Sequence, residues 1–157
     1  NNKIISNFDT HDDDSSTNGC FQWCNEEVTP VIHADNVNCG GVIYLTPNAP
    51  RESGTAFYEH KETGLRNVLG QDDEMVNYIF QSGNLDFTPF KEIERVANVY
   101  NRLILFDGRN FHSGTSYFGK TIEDSRLFQI FFFTVGETND LQNKHSGKRS
   151  IRINPIK

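Results

Sequence analysis

The sequence predicts one mainly β domain, a sandwich or barrel carrying one or two short helices. Ile, Val and Thr number 32 and Phe 13, whereas Ala and Leu together number 12, and β-branched and aromatic side chains favour pleated strands over helices. Asn occurs 17 times and Gly 12 times, enough turn-formers to separate many short strands. A length of 157 residues suits a single core, and a chain of that size buries roughly two thirds of its unfolded surface without disulfides or a structural metal. The expected organisation is a loop-like lead-in over 1–20, a core over 21–135 and a polar, basic tail over 136–157, which includes His145 and reads as solvated surface.

The elements follow in order. Residues 1–19 show little apolar pattern beyond Ile4, Ile5 and Phe8, and they contain the acidic run Asp12, Asp13, Asp14, which reads as loop. Short β-like runs come next at 21–24, 28–33, 41–45 and 55–58, parted by turn clusters at 36–41 and 47–54. Across 59–83 the pattern changes, with Met75, Tyr78 and Ile79 at helical spacing. This segment is long for a hairpin connection, so it reads either as a lid beside the site or as a packed insertion with a short helix. Thr88-Pro89 resembles a helix start, yet 94–99 reads equally well as a strand. The run 102–107 reads as a buried strand stopped by Gly108. Residues 126–134 form the strongest strand signal, bounded by Gly136, with the Phe-rich 128–133 expected to be core on both faces.

Charge and cysteine usage narrow the classes. A formal charge of −6 argues against a sequence-independent grip on nucleic acid, which needs clustered Lys and Arg. No apolar run reaches membrane length, so the expectation is a soluble protein with no membrane partner. Cys20, Cys24 and Cys39 are odd in number, and the Cys20/Cys24 pair has no second pair to complete a zinc site. Free thiols in a reducing, cytoplasmic compartment are expected. No signal-peptide pattern is present, and a start at Asn1 reads as a piece of a longer chain.

Three His-x-Asp/Glu triplets occur, at His11/Asp13, His33/Asp35 and His60/Glu62, where roughly 0.7 are expected by chance from the composition. Two ligands meet a metal only if one element holds both, and a strand places residues i and i+2 on one face. His33 and Asp35 end an apolar run, His11 and Asp13 lie in the acidic loop, and His60 and Glu62 remain a competitor. His112, just past the 102–107 run, is suited to be a third ligand. Two His and one carboxylate on one face leave open positions, the arrangement of non-haem Fe(II) oxygenases. Arg126 heads the aromatic strand, and a guanidinium there calls for an anionic partner that it can hold in bidentate fashion.

In order, His33-Ala-Asp35, Gly41-Val-Ile-Tyr-Leu-Thr-Pro-Asn48, Gly54-Thr-Ala-Phe-Tyr58, Asn101-Arg-Leu-Ile-Leu-Phe-Asp107, His112 and Arg126-Leu-Phe-Gln-Ile-Phe-Phe-Phe133 resemble the 2-oxoglutarate/Fe(II)-dependent dioxygenases, in their prolyl-4-hydroxylase-like branch. The resemblance spans about residues 28–135. It implies a double-stranded β-helix, or jelly-roll, in which His33, Asp35 and His112 bind Fe(II) and Arg126 binds the distal carboxylate of 2-oxoglutarate. It also implies that Tyr44 hydrogen-bonds that carboxylate. Thr46 stands where the related strand usually has Asn, and the His112 to Arg126 spacing is longer than usual, which leaves Lys120 as the alternative clamp. Arg126 is preferred because it directly heads a strand.

The function so implied is hydroxylation of a C–H bond in a peptidyl substrate, prolyl included, or in a small molecule, with release of succinate and CO2. Asp35 favours hydroxylation, since halogenating relatives carry a small residue there. The rivals are a jelly-roll binding module without turnover and a nucleic-acid demethylase of the same superfamily, the latter disfavoured by net charge.

Overall fold

The computed structural model describes residues 3–7 and 18–137. The His11/Asp13 triplet, the acidic run, His145 and the basic tail lie outside the described residues. Eight strands and one helix follow in chain order: β1 (Lys3–Asn7), β2 (Phe21–Cys24), β3 (Cys39–Tyr44), β4 (Thr55–His60), α1 (Asp73–Ile79), β5 (Phe90–Val96), β6 (Leu103–Phe106), β7 (His112–Gly114) and β8 (Arg126–Glu137).

The strands form two antiparallel sheets. The larger has the order β1-β8-β3-β6 with β2 also paired to β8, and the smaller has the order β5-β4-β7. An isolated bridge from His33 to His112 extends the small sheet beyond β7. β8 is the long spine of the large sheet: Phe21–Cys24 pairs with its first four residues, β3 with residues 128–133, and β1 with its last four.

Several expectations change. The 28–33 run forms no strand apart from the bridge at His33, because Pro30 offers no N–H to a ladder and Val28 and Val31 stay exposed. The lead-in contains β1, whose partner is the C-terminal end of β8, so that strand runs past Gly136 rather than stopping there. The segment left open at 88–99 is a strand, β5, not a helix. β6 is not buried: among the described residues it is an edge strand paired only to β3, and Leu103 and Leu105 on its outer face are half exposed. The apolar run had suggested burial on both faces, but only one face of β6 meets the interior. On β8, Phe128 and Phe133 are buried while Phe131 and Phe132 are partly so.

The hydrophobic core lies on the outer face of the small sheet. Ile32, Ala56, Tyr58, Ile79, Phe90 and Phe111 form it, with Leu65, Val68, Met75, Phe80 and Phe87 packed around. Most of this second group comes from the segment expected to be a lid or an insertion. The segment packs: the Asp72 side chain accepts from the Met75 N–H and so caps α1, and α1 delivers Ile79 into the aromatic layer. Phe80, Phe90 and Phe111 meet edge-on or tilted with centroids 5.6–5.8 Å apart, the separation at which aromatic pairs are favourable.

Candidate metal centre

Adjacent residues on an extended backbone point to opposite sides, and this chain uses that twice. Ile32 and Phe111 are both fully buried in the core, and the next residue in each case, His33 and His112, turns to the space between the sheets. The two backbones bond reciprocally, His33 N–H to His112 O at 3.0 Å and His112 N–H to His33 O at 2.9 Å. From behind, the Ile32 N–H donates to Asn84 O and the Phe111 N–H to Arg66 O, so the 59–89 segment braces both histidines. Asp35 is fixed by its N–H to Gly108 O at 2.8 Å.

The result is a cluster of three donors whose ligand atoms all lie within 4.8 Å of one another: His33, Asp35 and His112. The Nε2 atoms of His33 and His112 stand 3.7 and 3.6 Å from the two oxygens of Asp35. Each Nδ1 faces a backbone carbonyl, Val31 O at 3.2 Å for His33 and Asn110 O at 2.7 Å for His112. A carbonyl only accepts, which assigns the proton to Nδ1 and leaves the Nε2 lone pairs for a metal. Burial, reinforced by the electrostatic influence of the neighbouring His33 ring, pushes the His112 pKa down to about 4, so its ring is neutral and able to ligate at neutral pH. Side-chain exposure grades from 41% at His33 through 17% at Asp35 to 8% at His112, which opens the centre on the His33 side.

The competing residues separate cleanly. His60 is buried against Phe90 and Tyr78 with Nδ1 3.0 Å from Thr63 Oγ1; it is a core histidine. Lys120 is exposed, and among the described residues its ammonium pairs with Glu26 at 3.6 Å.

Arg126 shares a cavity of about 390 Å³ with the triad, together with Cys24, Thr55, Gly114, Tyr117 and Phe128 among others. It is 3% exposed. Nε donates to Ser53 O at 2.9 Å and one Nη to Gly54 O at 3.3 Å. The rings of Phe128, Tyr117 and Tyr44 surround the guanidinium at 4.4, 5.3 and 5.6 Å. Among the described residues no carboxylate pairs with it, so the anionic partner called for by the sequence is not another described side chain. Burial lowers its pKa, opposed by Tyr117 and Tyr44.

Its support is local. Thr46 Oγ1 donates to Ser125 O at 2.8 Å and accepts from Leu127 N–H at 2.7 Å, gripping the backbone on both sides of Arg126. At Gly54 a Cβ would collide with the Val96 carbonyl oxygen, so only glycine lets this loop present its carbonyl there. Tyr44, expected to bond the ligand carboxylate, is fully buried beside Arg126, and its hydroxyl donates to Thr55 Oγ1 at 2.8 Å. The sequence reading missed Tyr117 and Cys24 as cavity walls. The only local signal was a loop between Gly114 and Gly119.

Fold and site together define a two-sheet β protein with a candidate His/Asp/His metal centre and a buried cation in one cavity. The chain belongs to a family of unknown function, DUF6445, whose model matches residues 27–125. That span takes in all three candidate ligands and ends just before Arg126. No curated protein and no solved structure matches the chain. No helix among the described residues is long and apolar enough to cross a membrane.

Proposed function

We propose that this protein is a 2-oxoglutarate- and Fe(II)-dependent hydroxylase built on a double-stranded β-helix. The observation that carries the reading is the pairing, in one cavity, of a His33/Asp35/His112 donor set with a buried guanidinium that has no carboxylate partner among the described residues. Two imidazoles and one carboxylate suit Fe(II) and leave coordination positions free. A buried unpaired cation is costly, and a ligand carboxylate relieves that cost with charge-assisted hydrogen bonds.

The spacing supports a short dicarboxylate. Thr55, bonded to Tyr44 beside Arg126, pairs with Gly114, and Phe57 pairs with His112. The anion end and the metal end are therefore offset by two residues along the strands, roughly 7 Å. The topology supports a jelly-roll. The chain passes from the large sheet (β2, β3) to the small (β4, β5), back to the large (β6), to the small (β7) and to the large (β8). Such winding, in which β4 and β5 are the only consecutive strands among the described residues that pair, favours a wrapped sandwich over a meander.

When bound, Fe(II) with 2-oxoglutarate would couple O2 reduction to hydroxylation of a substrate C–H, with release of succinate and CO2. The chain's own part is to hold both ends and keep the cavity dry. His33, Asp35 and His112 would ligate, Arg126 would bind and orient the distal carboxylate, and Phe106 and Phe57, whose ring centroids lie 4.8 and 6.3 Å from that of His112, exclude water beside the metal. A groove of about 470 Å³ between β5 and β6 uses those same two rings as part of its wall and is where a peptidyl or small-molecule substrate would approach.

The test is succinate formation from 2-oxoglutarate by Fe(II)-loaded protein. We expect turnover that His112→Ala removes. Fe(II) binding without succinate formation across a panel of peptide and small-molecule substrates would favour a binding module that keeps the fold, and failure to bind Fe(II) would overturn the reading.

A further inference from the structure

We propose that Tyr117, rather than Tyr44, supplies the phenol that hydrogen-bonds the anionic end of the cavity's ligand, a short dicarboxylate. This deepens, and rests on, the function proposed above. Two hydroxyphenyl rings flank Arg126, and they differ in where their hydroxyls go. Tyr44 is fully buried, is absent from the cavity wall, and commits its proton to Thr55 Oγ1 at 2.8 Å. Tyr117 is the one tyrosine in the wall, with its ring 5.3 Å from the guanidinium centre. Its hydroxyl makes no hydrogen bond to any described residue, so its donor is uncommitted.

The location of that hydroxyl is built in. A Cβ at Gly114 would stand 2.6 Å from Tyr117 Cε1, 2.7 Å from the hydroxyl oxygen and 3.0 Å from Cζ. Position 114 is glycine because the phenol occupies the space a side chain would need. Gly114 pairs with Thr55 and lies two residues from His112 on β7, so side chains at 112 and 114 share a face. The Tyr117 hydroxyl thus stands over β7 at Gly114, level with Thr55 at the anion end of the cavity. Burial raises its pKa against the lowering effect of Arg126, so it stays a phenol at neutral pH, and a phenol donates to a carboxylate where a phenolate would repel it. An anion on Arg126 would meet guanidinium N–H groups from one side and this O–H from another, inside a wall of Phe128, Phe132 and Ile130 that strengthens both contacts.

The experiment titrates Mn(II)-loaded protein by calorimetry with 2-oxoglutarate and with pyruvate, which keeps the α-keto acid but lacks the distal carboxylate. Tyr117→Phe keeps the ring on Gly114 and Arg126. It is expected to weaken 2-oxoglutarate about tenfold, as for loss of one hydrogen bond to a charged group, and to leave pyruvate unchanged. Tyr44→Phe is expected to leave the ratio of the two affinities as in the wild type. Wild-type affinity in Tyr117→Phe would overturn the proposal. So would an equal loss for both ligands, which marks a packing role, or a selective loss in Tyr44→Phe instead. Wild-type protein that binds Mn(II) but not 2-oxoglutarate would overturn the parent function, and the inference with it, and is recognised because the unmutated chain is already silent.

Discussion

Strand β4 divides two regions made by opposite rules. On one face Ala56, Tyr58 and His60 enter a layer of Ile32, Ile79, Phe90 and Phe111 in which rings meet edge-on. On the other, Thr55 borders a cavity of about 390 Å³ and Phe57 stands against His112. In a simple sandwich the core lies between the sheets. Here the dense packing has moved to the outer face of the small sheet, under the 59–89 segment, and the space between the sheets holds imidazoles, a carboxylate and a guanidinium. The two regions are joined at the backbone: Ile32 and Phe111 anchor the residues next to them, His33 and His112. Packing on one side fixes donor positions on the other, as a preorganised site requires.

The sharpest way to break this comparison uses three histidines of different standing. His33→Ala and His112→Ala each remove a donor from the cluster, so stoichiometric Fe(II) binding should be lost in both while the fold persists. His60→Ala opens a hole in the packed layer and should lower stability by about 2–4 kcal/mol, with Fe(II) stoichiometry unchanged. Metal content after dialysis, set beside urea unfolding of the same samples, separates the outcomes. Metal loss in His60→Ala with retention in His112→Ala would move the centre and dissolve the distinction between the regions.

How much of this was legible follows from the same division. The site was readable because its donors are fixed by local order: His33-Ala-Asp35 is one turn of pattern, and Arg126 heads a run that could only be a strand. His112 needed the bridge that brings it to His33, 79 positions apart, yet its place just past an apolar run marked it. What stayed hidden is tertiary. Ile79 and Phe111 carry no sign of which sheet face they will cover, so the core could not be assigned, and 102–107 looked buried because an edge strand and a central strand share the same apolar composition. Tyr44 was read from its neighbours along the strand, but its hydroxyl is decided by Thr55 on a different sheet. β1 escaped because its partner is the end of β8, a pairing no local pattern announces.

Acid should separate the regions next. His112 titrates near 4 when folded against 6.5 when free, because the ring is buried and faces His33. Between those values the unfolded chain binds a proton the folded one refuses, so stability rises with pH through that window. Read downward, the metal-free protein should lose stability from about pH 6.5 to about pH 4, approaching about 3 kcal/mol for this group alone. Urea unfolding of chelator-treated protein at pH 7, 6, 5 and 4 would show it, and His112→Gln should flatten the curve. An identical slope in wild type and His112→Gln would place the acid sensitivity elsewhere.

The smallest effect concerns the price of keeping a cation in the cavity. Arg126 is nine-tenths or more buried, holds two backbone carbonyls and three aromatic rings, and has no carboxylate partner among the described residues. Met is close to Arg in length and unbranched, and it makes favourable contacts with rings, so Arg126→Met keeps most of the packing while removing the buried charge. Replacing a buried charge with an apolar side chain of similar volume is often neutral or stabilising. The carbonyls of Ser53 and Gly54 lose a donor, which offsets part of the gain, although Ser53 O retains the Asn98 amide at 3.3 Å. The net expectation is a rise of about 1 kcal/mol in unfolding free energy, seen as a higher urea midpoint at unchanged slope, together with loss of 2-oxoglutarate binding and unaltered metal stoichiometry. In the packed layer every truncation should destabilise, so a substitution that stabilises while abolishing ligand binding would mark the cavity as the place where stability is given up for function. A fall of 2 kcal/mol or more would instead make Arg126 a structural member of the Ser53–Gly54 corner.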